Sequence, residues 1–292
     1  MPKTKTQTLA WCAALASFLA LFATTFGRLV HDWYTDDNYS HGFIIVPLAL
    51  YFVWERRDRL RASPHPSLAG LAIVLCGLVL FLIGQLGAEL FLPRVSAIVV
   101  LAGAVVFIRG WSALRILAFP LAFLLLMVPI PRIVFNEIAF PLQLLASRIG
   151  GAGLMLIGIP VLREGNVIVL AHTTLEVAEA CSGIRSLISL STLGILYGYF
   201  VDPRATVRSA IALSTIPTAI IANGIRVAGT GIAAHYLGER AAEGFLHTFS
   251  GWLMFVVAFG LLIACSQLVL YAAPSGTQDS NGSRELISGV PQ

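Results

Sequence analysis

Charge is scarce in this sequence: only 12% of its 292 residues are Asp, Glu, Lys or Arg, against 57% hydrophobic residues. Mean hydropathy is +0.84. No soluble core of this length absorbs so much apolar side chain, so the chain is membrane-integral and leaves no room for a soluble catalytic domain. Cysteine is nearly as scarce. There are four, none in a Cys-x-x-Cys pair, which argues against dithiol redox chemistry. No His-Glu-x-x-His or similar spacing occurs, so neither a metal nor any other cofactor is indicated. No small-x-small cleavage site closes the apolar run that follows Lys3 and Lys5, and the first span is expected to stay uncleaved. The net charge of +4 is scattered among loops rather than gathered in a stripe, which speaks for topology and against a nucleic-acid partner. Internal repeats are lacking too.

What is present is a series of runs long enough to cross about 30 Å of hydrocarbon. The expected fold is all-α and polytopic. About eight spans are read, over 8–30, 38–54, 67–86, 91–108, 116–130, 183–200, 209–231 and 249–272, forming a single transmembrane domain over 1–272. Arginine collects in the short loops 55–66, 109–115 and 201–208, as it does in cytoplasmic loops, so both termini are expected inside. The stretch 131–160 is apolar but interrupted by Arg132, Asn136, Glu137, Gln143 and Arg148. It is assigned to interfacial or re-entrant helices, whose polar groups protein or a cavity would cover. From Val161 to about residue 182 the alternation around Val167-Ile168-Val169 and Leu175-Glu176-Val177 predicts a small extracytoplasmic β-meander. The polar, Ser/Gly-rich tail 273–292 is expected to be disordered on the cytoplasmic side.

Cys12, Cys76 and Cys265 fall inside apolar spans and read as small hydrophobes. Cys181 differs. It stands in Glu179-Ala180-Cys181-Ser182-Gly183-Ile184-Arg185, at the outer start of a span, without an outside partner. Free N–H groups of the helix start and the charge of Arg185 favour thiolate over thiol there. Cys181-Ser182-Gly183 is also the composition of a plain small-residue helix start. Arg226 places a guanidinium in the outer part of the seventh span, where a charge is costly and points by default to function; snorkelling to the nearby interface is the other reading. Asn223, Arg226 and Thr230 share a helical face and form a polar stripe expected to point into the bundle. His247 opens the eighth span, at an expected depth matching Cys181 and Arg226; a lone histidine there is equally an interfacial or capping residue. Nucleophile, acid/base and oxyanion-stabilising cation are the three roles a thioacyl mechanism needs. His41, at the outer start of the second span, is held as a supporting residue, while His172 and His235 read as solvated loop residues.

Two other classes were weighed. A serine intramembrane protease would use Ser182 or Ser250 beside His247, but neither serine has the Gly-x-Ser-x setting of rhomboids. A transporter would line a path with Asn223, Arg226, Glu137 and Gln143, but inverted repeats and paired broken helices are missing.

The blocks Ala178-Glu179-Ala180-Cys181-Ser182-Gly183-Ile184-Arg185-Ser186, Ala222-Asn223-Gly224-Ile225-Arg226 and His247-Thr248-Phe249-Ser250-Gly251-Trp252, in that order, resemble the motifs of the exosortase/archaeosortase family. Tyr39-Ser40-His41-Gly42 and 160–165 are similar to family patterns as well. The resemblance implies a cysteine peptidase/transpeptidase of the bacterial inner membrane with its active site on the periplasmic side. Its partners would be secreted proteins carrying a C-terminal sorting signal of the Pro-Glu-Pro (PEP-CTERM) type, the bilayer itself and an acceptor nucleophile, in a setting of exopolysaccharide-linked surface display. It implies Cys181 as nucleophile, Arg226 as stabilising cation and His247 as acid/base, with Arg185, Asn223 and His41 around the substrate. Thr248 departs from the pattern, since Glu often follows this histidine in the family.

Overall fold

The computed structural model describes residues 5–61, 65–171, 173–177, 183–238 and 245–272, the side chains of 5–8, 61 and 245–252 excepted. The chain is a polytopic all-α membrane protein: among the described residues seven helices are long and apolar enough to cross a bilayer, two shorter apolar helices accompany them, and one small sheet interrupts the series. It divides into two compact units, Met1–Gln143 and Leu144–Gln292.

The first unit holds α1 (Lys5–Thr35), α2 (Gly42–Glu55), the one-turn α3 (Arg57–Arg61), α4 (Ala69–Leu86), α5 (Phe91–Arg109) and α6 (Trp111–Phe123), which tightens into a 3-10 turn over Leu124–Met127. Its backbone is the α4–α5 hairpin. Gly70, Gly77 and Gly84 recur every seventh residue, all are buried, and all face α5. A methyl group at Gly77 would lie 2.7 Å from the Val100 side chain, and one at Gly103 on α5 would lie 2.6 Å from the Val74 nitrogen. In a bilayer, where apolar burial does not drive helices together, such small residues allow the close backbone approach that does. Against this hairpin, Phe18, Phe22 and Phe26 of α1 form an i, i+4, i+8 stripe in one cluster with Phe81 of α4 and Ala97 and Val100 of α5, and the Phe22 ring meets Phe81 edge-on at 5.0 Å between centroids.

One end of this unit is finished by arginines. Arg56 donates to the Phe52 carbonyl (3.0 Å), Arg109 to the Leu60 carbonyl (3.0 Å), and Arg57 covers the Trp54 ring at 4.2 Å. These are the cations that the last carbonyls of helices attract. At the other end the chain leaves helix over residues 128–131, and its backbone groups there need partners because lipid offers none. Three distant side chains supply them. Trp33 Nε1 donates to the Met127 carbonyl (2.9 Å), His41 Nε2 to the Leu126 carbonyl (3.2 Å), and the Ile130 N–H donates to the Tyr39 hydroxyl (3.1 Å). A carbonyl only accepts, so Nε2 carries the proton of His41. Burial pushes this imidazole below its ordinary pKa and pushes the Tyr39 phenol above its own.

The stretch 131–160, expected as interfacial or re-entrant, is one continuous helix, α7 (Arg132–Leu156), which begins in the first unit and ends in the second and is long and apolar enough to span. The second unit then carries the expected meander: β1 (Leu162–Glu164), β2 (Val167–Val169) and β3 (Thr174–Glu176), antiparallel in the order β1-β2-β3. Ile168, fully buried, enters a core with Leu154 of α7 and Val227 and Ala234 of α9. Ser147 of α7 donates to the Gly165 carbonyl at the β1–β2 turn (2.8 Å). Three long helices complete the unit: α8 (Ile184–Val201), α9 (Ala205–Leu237) and α10 (Phe245–Ala272). The α8–α9 turn is tied by Asp202, whose carboxylate accepts from the Arg204 backbone (2.7 Å) and guanidinium (2.8 Å), while Arg208 donates to the Tyr199 carbonyl (3.0 Å). The Arg204 guanidinium holds the Asp202 carboxyl below its usual pKa range.

The ends of the helices differ from the expected spans. At about 1.5 Å per residue, α2 is about 21 Å long, short of the hydrocarbon thickness, whereas α9 is about 50 Å and overshoots it. The expected tail 273–292 lies outside the described residues.

If the α4–α5 seam is as close as these distances imply, Gly77→Leu will cost about 1–3 kcal/mol or more, the usual penalty of overpacking. Val79→Leu, at a lipid-facing position, will stay within about 0.5 kcal/mol. Thermal unfolding in detergent compares them, and equal melting would show that the helices have room to spare.

Candidate active site

The site is built from the start of α8 and the C-terminal half of α9. Gly183, the residue before α8, has φ +81°, a left-handed conformation that glycine adopts freely and other residues rarely. It is buried against Asn223 of α9. A Cβ on Gly183 would stand 2.7 Å from Asn223 Cγ and 2.9 Å from its amide nitrogen. Asn223 itself is only 5% exposed. The beginning of α8 is therefore pinned to one named turn of α9, and no side chain fits between.

The two helices run antiparallel, with Gly194 against Thr215 and Ser191 Oγ 3.1 Å from Thr215 Oγ1. Arg226, one turn beyond Asn223, thus lies just past the N-terminal end of α8. Arg226 is half-buried. Its backbone is braced from behind. Gly224 sits on Ile149 of α7, Gly150 on Val227, and Gly231 on Leu154, where a Cβ would be 2.6 Å from a Leu154 methyl. Thr230, the third member of the expected polar stripe, turns its hydroxyl back to the Arg226 carbonyl (3.0 Å). Counting from Ala205, Asn223 is about 27 Å and Arg226 about 31 Å along α9. The guanidinium therefore belongs to the boundary between hydrocarbon and headgroups.

Cys181 lies outside the described residues, as do Ser182 and His172. Covalent geometry bounds it all the same: two peptide units reach at most about 7 Å, so its Cα is within that distance of Gly183 Cα. Arg185 is exposed in the first turn of α8. The backbone of His247 belongs to α10, but at a level different from the one expected. Thr218 Oγ1 and Cys265 Sγ are 4.0 Å apart and set the α9–α10 register. Arg226 is then about 12 Å up α9 from that contact and His247 about 27 Å up α10. Both helices extend beyond the spans read from hydropathy, and the histidine rides on the extension. His41 belongs to the first unit, with its ring on Leu126. His235 ends α9 with its ring edge-on to Tyr236. Cys12 and Cys76 are exposed on apolar helices, and Cys265 is half-buried.

Sequence reasoning placed Gly183 at the helix start but passed over its contact with Asn223 and the Gly224–Ile149 seam, which braces Arg226 from behind. The signal was the glycine content of the three segments: Gly150, Gly151 and Gly153, then Gly183, then Gly224 and Gly231.

The family model described as transmembrane exosortase matches residues 33–264, well over half of the chain. Neither the curated proteins nor the solved structures give a match. The matched range contains the start of α8, the whole of α9 and the first turns of α10.

Gly183→Ala meets both a left-handed backbone, worth about 1–2 kcal/mol, and the Asn223 side chain. It is expected to lower the unfolding temperature of the purified protein. Gly229→Ala, where nothing lies within 4 Å, is expected to be neutral or to stabilise by up to about 1 kcal/mol. Equal stability of the two variants would mean that α8 starts without the contact described.

Proposed function

The chain belongs to the transmembrane exosortase family, and from that premise we propose that it is a membrane cysteine transpeptidase that cleaves a C-terminal sorting signal of secreted proteins. Cys181 is the nucleophile in this reading. The observation that supports it most is the contact of Gly183 with Asn223, which sets the start of α8 one helical turn of α9 from Arg226.

The steps follow from the residues. The Cys181 thiolate, favoured by the N-terminal N–H groups of α8 and by nearby arginine, attacks the carbonyl carbon of the scissile peptide. The carbonyl oxygen becomes an oxyanion, and Arg226 pairs with it through a planar fork of donors. The C–N bond then breaks, the leaving amine takes a proton from His247, and the acyl group stays on sulfur as a thioester. An acceptor nucleophile, or water, gives its proton to His247 as it attacks the thioester and releases the thiolate. Arg185, exposed beside this point, suits the glutamate of a Pro-Glu-Pro signal. Surface display on an exopolysaccharide-linked acceptor is the setting that completes the proposal.

Arginines at 56, 57, 59, 61, 109, 115, 204 and 208 favour a bacterial inner-membrane orientation with these loops and both termini in the cytoplasm, an assignment under which α7, although long enough to span, lies along the membrane and does not cross it. The site then opens to the periplasm. The role of His247 requires the first turns of α10 to bend over α9, because a straight helix carries the histidine about 15 Å past Arg226.

Processing of a secreted protein bearing the sorting signal tests each role. Cys181→Ala and Cys181→Ser are expected to leave it at full length, and normal processing by both would remove the nucleophile. Arg226→Lys, which keeps charge and loses the fork, is expected to fall at least about a hundredfold, in the range seen for a lost oxyanion donor. His247→Ala is expected to do the same, and turnover close to wild type would assign the proton transfers elsewhere.

A further inference from the structure

The first unit carries a polar cleft that the proposed reaction does not use. It opens between α1, the end of α4 and the start of α5 and is lined by Thr24, Thr25, Arg28, Gln85, Glu89 and Arg94. Its level is fixed by length alone. From Leu9, the first residue of the apolar run, to Arg28 is about 29 Å of helix, the thickness of the hydrocarbon layer. The α4 helix is about 27 Å long, so the turn after it reaches a boundary too. Whichever way the chain is oriented, the cleft lies in the headgroup plane.

Most of its polar groups are already committed. Arg94, 4% exposed, donates to Asp32 at 2.5 Å. Glu89 accepts the Leu92 N–H at 2.7 Å and so caps α5. The turn itself is a Schellman motif, with the Glu89 N–H on the Gly84 carbonyl (2.9 Å) and the Ala88 N–H on the Gln85 carbonyl (3.3 Å). Ala88 takes φ +51°, in the position that glycine usually fills. Strain of this kind collects where a site needs a particular backbone path.

Two groups are left over. Thr25 is 5% exposed, and its hydroxyl has no hydrogen-bond partner, although a buried hydroxyl without one is costly. Arg28, one turn on along the same face, has no carboxylate within 4 Å among the described residues. Thr24 adds a second hydroxyl and Gln85 an amide. An unused guanidinium, hydroxyls and an amide at headgroup level are a donor set for phosphate oxygens. The uncommitted edge of Glu89 disfavours a dianion and leaves a singly charged diester as the better ligand.

We propose that this cleft binds the phosphodiester of a membrane phospholipid, held by Arg28 and the Thr25 hydroxyl. The test uses the full chain in detergent, with phosphatidylglycerol added in small molar excess and bound lipid counted by native mass spectrometry. One lipid is expected to persist under conditions that strip the rest. Retention is expected to fall at least about tenfold in Arg28→Gln and in Thr25→Val, and to survive in Thr25→Ser, which keeps the hydroxyl. Arg57→Gln removes an arginine at the opposite end of the unit and is expected to change nothing. Equal retention by Thr25→Val and wild type, or an equal loss in Arg57→Gln, would overturn the proposal. So would equal retention of uncharged diacylglycerol, which indicates an acyl groove. Displacement by millimolar inorganic phosphate would overturn the lipid assignment by identifying free phosphate as the ligand.

Discussion

Gly183 against Asn223 is the contact on which the catalytic half depends. It joins the first residue of one helix to the middle of its neighbour, and the left-handed backbone at Gly183 sets the direction from which the chain arrives. Everything chemical follows from that pin. The segment before α8 cannot slide along α9, and Arg226 stands one turn beyond the pin with its backbone clamped from the far side by α7. In water such an arrangement would rest largely on apolar burial. In lipid it rests on close backbone approach, and this is why glycine carries both the α4–α5 seam and the α7–α9 seam.

Helix length is the second constraint. The α9 helix continues well past the hydrocarbon boundary, and α2 stops short of it, so the polar ends of the two units solve opposite problems. Where α9 extends, its backbone needs nothing from outside, and the meander packs on it through Ile168 and Val177. Where the chain leaves helix at 128–131, the backbone groups beside that stretch are paired by Trp33, Tyr39 and His41 from about 90 positions away in sequence. Burial of the imidazole keeps it neutral, which suits a side chain whose work is to donate one proton to a carbonyl.

Much of the fold was legible because hydropathy and alternation are local signals. The spans were found within a few residues, and the three strands appeared where Val167-Ile168-Val169 and Leu175-Glu176-Val177 alternate. The ends of α9 and α10 were not legible, since an amphipathic extension such as 232–237 keeps helical spacing while losing the hydropathy that marks a span. The same cause displaced His247 from its expected level. The polar residues of 131–160 suggested an interrupted stretch, yet Ser147 is spent on the meander turn and the glycines around it allow α7 to lie against α9. The side-chain clamp on 126–130 left no pattern to read, because its partners are far apart in sequence. The roles proposed for Cys181 and Arg226 rest on motif order and helix-terminus chemistry.

The claim that Arg226 and the helix start activate Cys181 is tested most directly by the acidity of its thiol. A variant in which Cys12, Cys76 and Cys265 are replaced by Ala leaves Cys181 as the one reactive sulfur, and its alkylation rate by a membrane-impermeant reagent can be followed against pH. The account predicts a midpoint below that of a free thiol, which moves upward in Arg226→Gln and stays in place in Arg57→Gln. A midpoint that Arg226→Gln does not move would contradict it.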